Sequence, residues 1–183
     1  MRIKEPHAQY IARKISIELH KCGFVSFKSG LEQVAQLAQE ILLADIASER
    51  ALEAKVEQIL NENENDIEFM QVDRRNMFWL IKKRLARDSD FILEHDDRYS
   101  RISHEILNQI WQKNLIDYKV SENKVKNVIY SAIEGYLKGF SQAEDAAFDE
   151  LEKREKKLVV GSDEYEIAYQ KAYEEQLKKR GII

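Results

Sequence analysis

The chain has 183 residues, 34% of them charged and 44% hydrophobic, with a formal net charge of −4. That length suits one compact domain or two small ones, and such a domain buries about 70% of its unfolded surface without needing a disulfide or a metal. The balance lacks the basic excess of a dedicated nucleic-acid binder. The single cysteine, Cys22, permits no internal disulfide and fits a reducing compartment. The start carries no apolar signal core, and no run approaches the roughly 20 apolar residues of a membrane span. A cytoplasmic location and no membrane partner are therefore expected. One proline among many Glu, Lys, Ala, Leu and Gln residues favours helix, because little interrupts the backbone ladder.

A first helix starts at Pro6, carries Ile11, Ile15 and Leu19 on one face, and stops at Gly23. Phe24–Phe27 alternates and reads as extended. Ser29 is placed to cap a long second helix over about 31–61, with apolar positions Val34, Leu37, Ala38, Ile41 and Leu42, then Leu52, Val56, Ile59 and Leu60. An acidic connector, 61–68, leads to Ile67, Phe69, Met70 and Val72, read as a packed, partly extended crossing. Asp73 caps a third helix over about 74–87, and Phe91–Leu93 is a short apolar segment. A fourth helix covers about 97–113, with Asp96 or Asp97 as its cap. Leu115–Tyr118 is extended. Ser121 caps a fifth helix to about Lys157, within which Gly135 and Gly139 mark a close approach or a kink. Ser162 caps a last helix with Tyr165, Tyr169, Tyr173 and Leu177 on one face, ended by Gly181.

Sliding the sequence on itself by 91 positions superposes its apolar pattern. Ile11, Ile15 and Leu19 fall on Ile102, Ile106 and Ile110, and Val34, Leu37 and Leu42 fall on Val125, Val128 and Ile133. Two pseudo-equivalent halves are expected, 1–91 and 92–183, packed as one unit about an approximate two-fold. The extended pieces near Phe24 and Leu115 would then pair as a minimal sheet.

The catalytic inventory is thin. The chain has no Gly-rich phosphate loop, no GxSxG turn, no HExxH, no CxxC and no Glu-x-x-His at helical spacing. Neither a cofactor nor a metal is expected. The densest polar group is Glu94, His95, Asp96 and Asp97, with His104 and Glu105 further on. A metal-dependent enzyme would have to be built there, although one of these acids serves more simply as a helix cap. His7, His20 and Cys22 read as structural.

The third helix is the candidate binding element. Arg74, Arg75, Lys82, Lys83, Arg84 and Arg87 are six cations with no acid among them. At 100° per residue Met77, Phe78, Ile81 and Leu85 form its core face, and Trp79 points away with Arg75, Lys82 and Lys83 as helical neighbours. A tryptophan framed by cations suits a protein hot spot or stacking on a nucleic-acid base. Alternatively the whole helix is buried, with its basic ends meeting the acidic connector.

Several stretches are familiar together. They include Pro6-His7 before Tyr10-Ile11, the Gly23-Phe24-Val25 turn, Ile67–Gln71, Phe78–Lys83 and Leu115–Tyr130. Along its whole length the chain resembles a bacterial family designated domain of unknown function five hundred and seven. The resemblance implies a small bacterial cytosolic protein and brings no activity, cofactor or catalytic residue with it.

These observations give an all-α fold of about six helices, two of them long, with at most a minimal β pairing. The long apolar stripes need cover along their length, which another helix of the chain or a second subunit in a homodimer would supply. The leading functional expectation is a non-enzymatic interaction or scaffold protein that binds an unidentified protein through Arg74, Arg75, Trp79, Lys82, Lys83 and Arg87. The alternatives are a nucleic-acid-associated factor using the same basic helix and, third, a metal-dependent enzyme.

Overall fold

The computed structural model describes residues 3–69, 71, 73–153 and 159–182. Pro6 lies in a 3-10 turn, Glu5–His7, that leads into α1, Ala8–Lys21. Proline is tolerated there because its missing N–H would have no helical acceptor. Gly23, at φ +76°, ends α1 in the left-handed region. The other elements are β1 (Val25–Phe27), α2 (Leu31–Glu62), α3 (Glu64–Phe69), α4 (Arg74–Asp88), α5 (His95–Gln112), β2 (Ile116–Tyr118), α6 (Glu122–Glu152) and α7 (Asp163–Lys179). The fold is all-α, with α2 and α6 the long helices.

Seven α-helices occur among the described residues, against about six expected. The addition is α3, which forms inside the acidic connector because Glu64 and Asp66 in its first turn complement the helix dipole. The packed crossing expected there is not formed at Phe69, which is 89% exposed; Met70 and Val72 lie outside the described residues. The fifth helix of the sequence ends at Glu152, and the expected continuation over 154–157 is also outside them.

Capping follows the expected chemistry at two ends. Asp73 accepts from the Arg75 N–H, and Ser162 from the Tyr165 N–H. Ser29 does not cap α2: Gly30 takes the cap position, and the Ser29 hydroxyl turns to the Leu115 carbonyl at 3.4 Å. Ser121 holds the cap position of α6 without a side-chain bond. Neither Asp96 nor Asp97 caps α5. Glu94 does, accepting from the Asp97 N–H at 3.0 Å, because α5 begins two residues earlier than expected.

The extended pieces pair antiparallel, with Val25 opposite Tyr118, Ser26 opposite Asp117 and Phe27 opposite Ile116. Behind this ribbon lies one apolar core drawn from both halves of the sequence. It includes Ile11 and Ile15 of α1, Leu42 of α2, Ile106 of α5 and Ile129 and Ile133 of α6. Helix α1 packs on α2 and α6, while α5 packs on α6 and α2. The long helices run past this core. The far part of α2 is covered by α4, and that of α6 by α7, so each forms a two-helix arm. Leu52, Val56 and Leu60 are buried in the first arm, and Ala147 and Leu151 in the second.

Several features recur at the 91-residue shift. Helices α2 and α6 start at 31 and 122. Gly23 and Asn114 both have positive φ, as do Asp90 and Gly181. The chain-reversing bond from the Phe91 N–H to the Ala86 carbonyl matches that from Ile182 to Leu177. The strand register maps onto itself when the two strands are exchanged. Of the two glycines in α6, Gly139 does admit a close approach. A Cβ there would lie 3.0 Å from the Ile182 Cδ1, whereas one at Gly135 would meet nothing within 4 Å.

Candidate functional site

Helix α4 has two unlike faces. Met77, Phe78, Ile81 and Leu85, the expected core face, are half-buried. The fully buried members are Lys82, 2% exposed, and Ala86. Phe78, Lys82 and Ala86 lie four apart, so they share one stripe, and that stripe faces α2. Lys82 was expected beside Trp79 on the outer surface; it is instead turned inward, with its Nζ 2.9 Å from Glu49 Oε1 and 2.7 Å from Glu53 Oε1. Both acids are on α2, one turn apart.

The ion network continues into α5. Arg98 Nη1 is 2.9 Å from Glu49 Oε2, and Arg98 Nη2 is 2.6 Å from Asp45 Oδ2. Arg98 is itself buried and lies over the Phe91 ring at 4.7 Å. A cleft of about 710 Å³ opens beside this network between α2, α4 and α5, with Trp79, Lys82, His95 and Arg98 in its lining. Burial would raise the Glu49 pKa, but the Lys82 hydrogen bond and the Arg98 charge outweigh it and lower the value to about 2.

The outer face is open. Trp79 is 48% exposed and Leu80 62%. Arg75, Lys83, Arg84 and Arg87 are exposed beside them. Asn76, Trp79, Leu80, Lys83 and Arg87 follow helical spacing and make one stripe. The Trp79 ring is fixed from beneath by Phe78, edge-on at 5.9 Å, and by Lys82 Nζ at 5.3 Å from its centroid. Arg74 is tied down, 2.9 Å from Glu57 and 2.7 Å from the Asn61 amide oxygen. Of the six residues expected to bind, Arg75, Trp79, Lys83 and Arg87 thus share the open surface. Lys82 and Arg74 are held by carboxylates of their own arm, and Glu57 also meets the cleft.

The histidine cluster separates. His95 Nδ1 is 3.1 Å from Asp96 and 3.6 Å from Glu134, whereas His104 Nδ1 is 3.0 Å from Glu122. Among the described residues no three His, Cys, Asp or Glu side chains converge in a way that could hold a metal ion. The tyrosine face of α7 packs as expected, with Tyr165, Tyr169 and Tyr173 stacked ring on ring at 6.2 Å. The Tyr173 hydroxyl is buried with no hydrogen-bond partner among the described residues, and burial pushes its pKa up to about 12.

Ninety-one positions from each member of the network stands a different kind of side chain. Arg98, Glu49, Asp45 and Lys82 correspond to His7, Phe140, Tyr136 and Tyr173. In the second position the His7 ring stacks on Phe140 at 3.9 Å, and Tyr136 is 5.7 Å from Phe140. One arm is thus rooted in aromatic packing and the other in paired charge. Burial, with a further contribution from Lys4, lowers the His7 pKa from 6.5 to about 4. Both His7 and Glu49 bind protons less readily in the folded than in the unfolded chain, so the stability these two groups contribute is full above pH 6.5. It is expected to fall as pH drops from 6.5 towards 4 through His7. A second loss follows from 4.5 towards 2 through Glu49. Thermal melts across this range should show both limbs, and His7→Phe should flatten the upper one; an unchanged upper limb would assign it elsewhere.

A family model described as a protein of unknown function, DUF507, matches residues 1–182. The chain belongs to the DUF507 family. No curated protein matches the sequence. Membership covers both arms and the shared core of this DUF507 chain, so the two-faced α4 lies inside the family's own extent. Among the described residues no helix is long and apolar enough to cross a membrane.

Proposed function

We propose that this chain is a non-enzymatic cytosolic interaction protein that docks another protein on the outer face of α4. The observation that carries it is the exposed Trp79–Leu80 pair on a helix whose opposite face is locked by the Lys82 network. A rigid aromatic anchor with an apolar neighbour and a cationic rim is the composition of an interface centre. Arg75 strengthens the case. A cation in a first helical turn opposes the dipole, so its presence costs helix stability and calls for another use. The nucleic-acid reading is weaker because Lys82 and Arg74 are already engaged by carboxylates. Residues 1–91 and 92–183 are, in the same proposal, pseudo-equivalent halves of one unit, supported by the matched turns and the strand register.

Trp79→Ala is expected to reduce partner capture at least tenfold, because truncating a hot-spot tryptophan costs about 2 kcal/mol or more. Capture by the tagged chain from lysate, with helicity followed by circular dichroism, tests this. Undiminished capture at wild-type helicity would contradict it.

A further inference from the structure

We propose that the partner of the α4 surface is a second copy of this chain, whose second arm lies against it. This rests on the docking reading above and names its occupant. The outer stripe of α4 is basic around an apolar centre: Trp79 and Leu80 sit between Arg75, Lys83 and Arg87. On the second arm, before the basic run at 153–157, one stripe of α6 carries the opposite charge around an exposed apolar residue. On α6, Asp145, Phe148, Asp149 and Glu152 follow helical spacing and are all exposed, with Phe148 at 44%. Between 144 and 152, and again between 159 and 170, the sequence has no Lys or Arg. From 74 to 87 it has no Asp or Glu.

Opposite charge framing apolar centres steers two surfaces together and sets their register. Among the described residues α4 packs on α2 and α7 on α6, with no extensive contact between α4 and α7. In a two-fold dimer the contact forms twice, first arm to second arm and second arm to first. A stable interface buries about 1,200–2,000 Å², and forming the contact twice divides that requirement between two patches.

Light scattering on the full chain should give about twice 21.5 kDa. Charge reversal then tests which surfaces meet. Lys83→Glu with Arg87→Glu makes the first arm's stripe acidic, and Asp145→Lys with Asp149→Lys makes the second arm's stripe basic. Each double variant alone places like charges together at both contacts and should run as a monomer with wild-type helicity. Mixed in equal amounts, the two variants restore opposite charge at both contacts and should recover the doubled mass. Dimeric variants, or a mixture that stays monomeric, would overturn the proposal. A monomeric wild type whose partner capture still depends on Trp79 would overturn the second copy as occupant and leave the docking surface standing. A monomeric wild type with capture indifferent to Trp79 would remove both.

Discussion

Lys82→Ala is expected to cost about 3–5 kcal/mol of folding stability, the usual result of removing one partner from a buried ion pair. The side chain is 3% exposed and neutralises parts of two carboxylates, Glu49 and Glu53. Its loss leaves Glu49, itself almost wholly buried, with Arg98 as the remaining cation that the network supplies. At roughly 2–4 °C per kcal/mol for a domain of this size, the melting point should fall by about 6–20 °C. Replacing both partners, Lys82→Met with Glu49→Leu, should cost less than the two single changes summed, since neither member of the most buried pair is left without the other, while Arg98 keeps Asp45 and the Glu53 side chain is 25% exposed. A double-mutant cycle reads that coupling directly. Additive losses would show that the network does not hold α4 as described.

Phe140→Ala should cost a similar amount, about 3–5 kcal/mol, by a different cause. The ring is fully buried and stacks against His7, so truncation leaves a cavity and removes a contact between the N-terminal turn and α6. Denaturant unfolding should show a lower midpoint at an unchanged slope. A loss under about 1 kcal/mol would mean that the surroundings collapse to fill the space, and would weaken the view that this arm is rooted in aromatic packing.

The contrast between these two positions explains how far the sequence could be read. Apolar stripes such as Ile11, Ile15 and Leu19 were legible because a 3.6-residue period needs no knowledge of what it packs against. Asp73 and Ser162 were legible as caps because their acceptors serve N–H groups two or three residues away. Lys82 was not, because a lysine is read as solvated unless a partner is known. Its partners lie 33 and 29 residues earlier. A signal was nevertheless present: Lys82 falls midway between Phe78 and Ala86 on one stripe, and Glu49 and Glu53 have the same four-residue spacing. His7 was hidden in the same manner by its distance along the chain from Phe140. Ser29 and Glu94 show the smaller error of cap position, where one or two residues decide which side chain reaches the free N–H groups.

The central claim is that the outer face of α4 meets a protein. A photo-crosslinking residue placed at Leu80, which points outward and is 62% exposed, tests it most directly. The same residue at Glu32, exposed at the start of α2, serves as control. Irradiation of the intact chain in cells is expected to give a discrete protein adduct from position 80 that survives nuclease and is absent from position 32. No adduct at position 80, equal adducts at both positions, or material lost to nuclease would contradict the account.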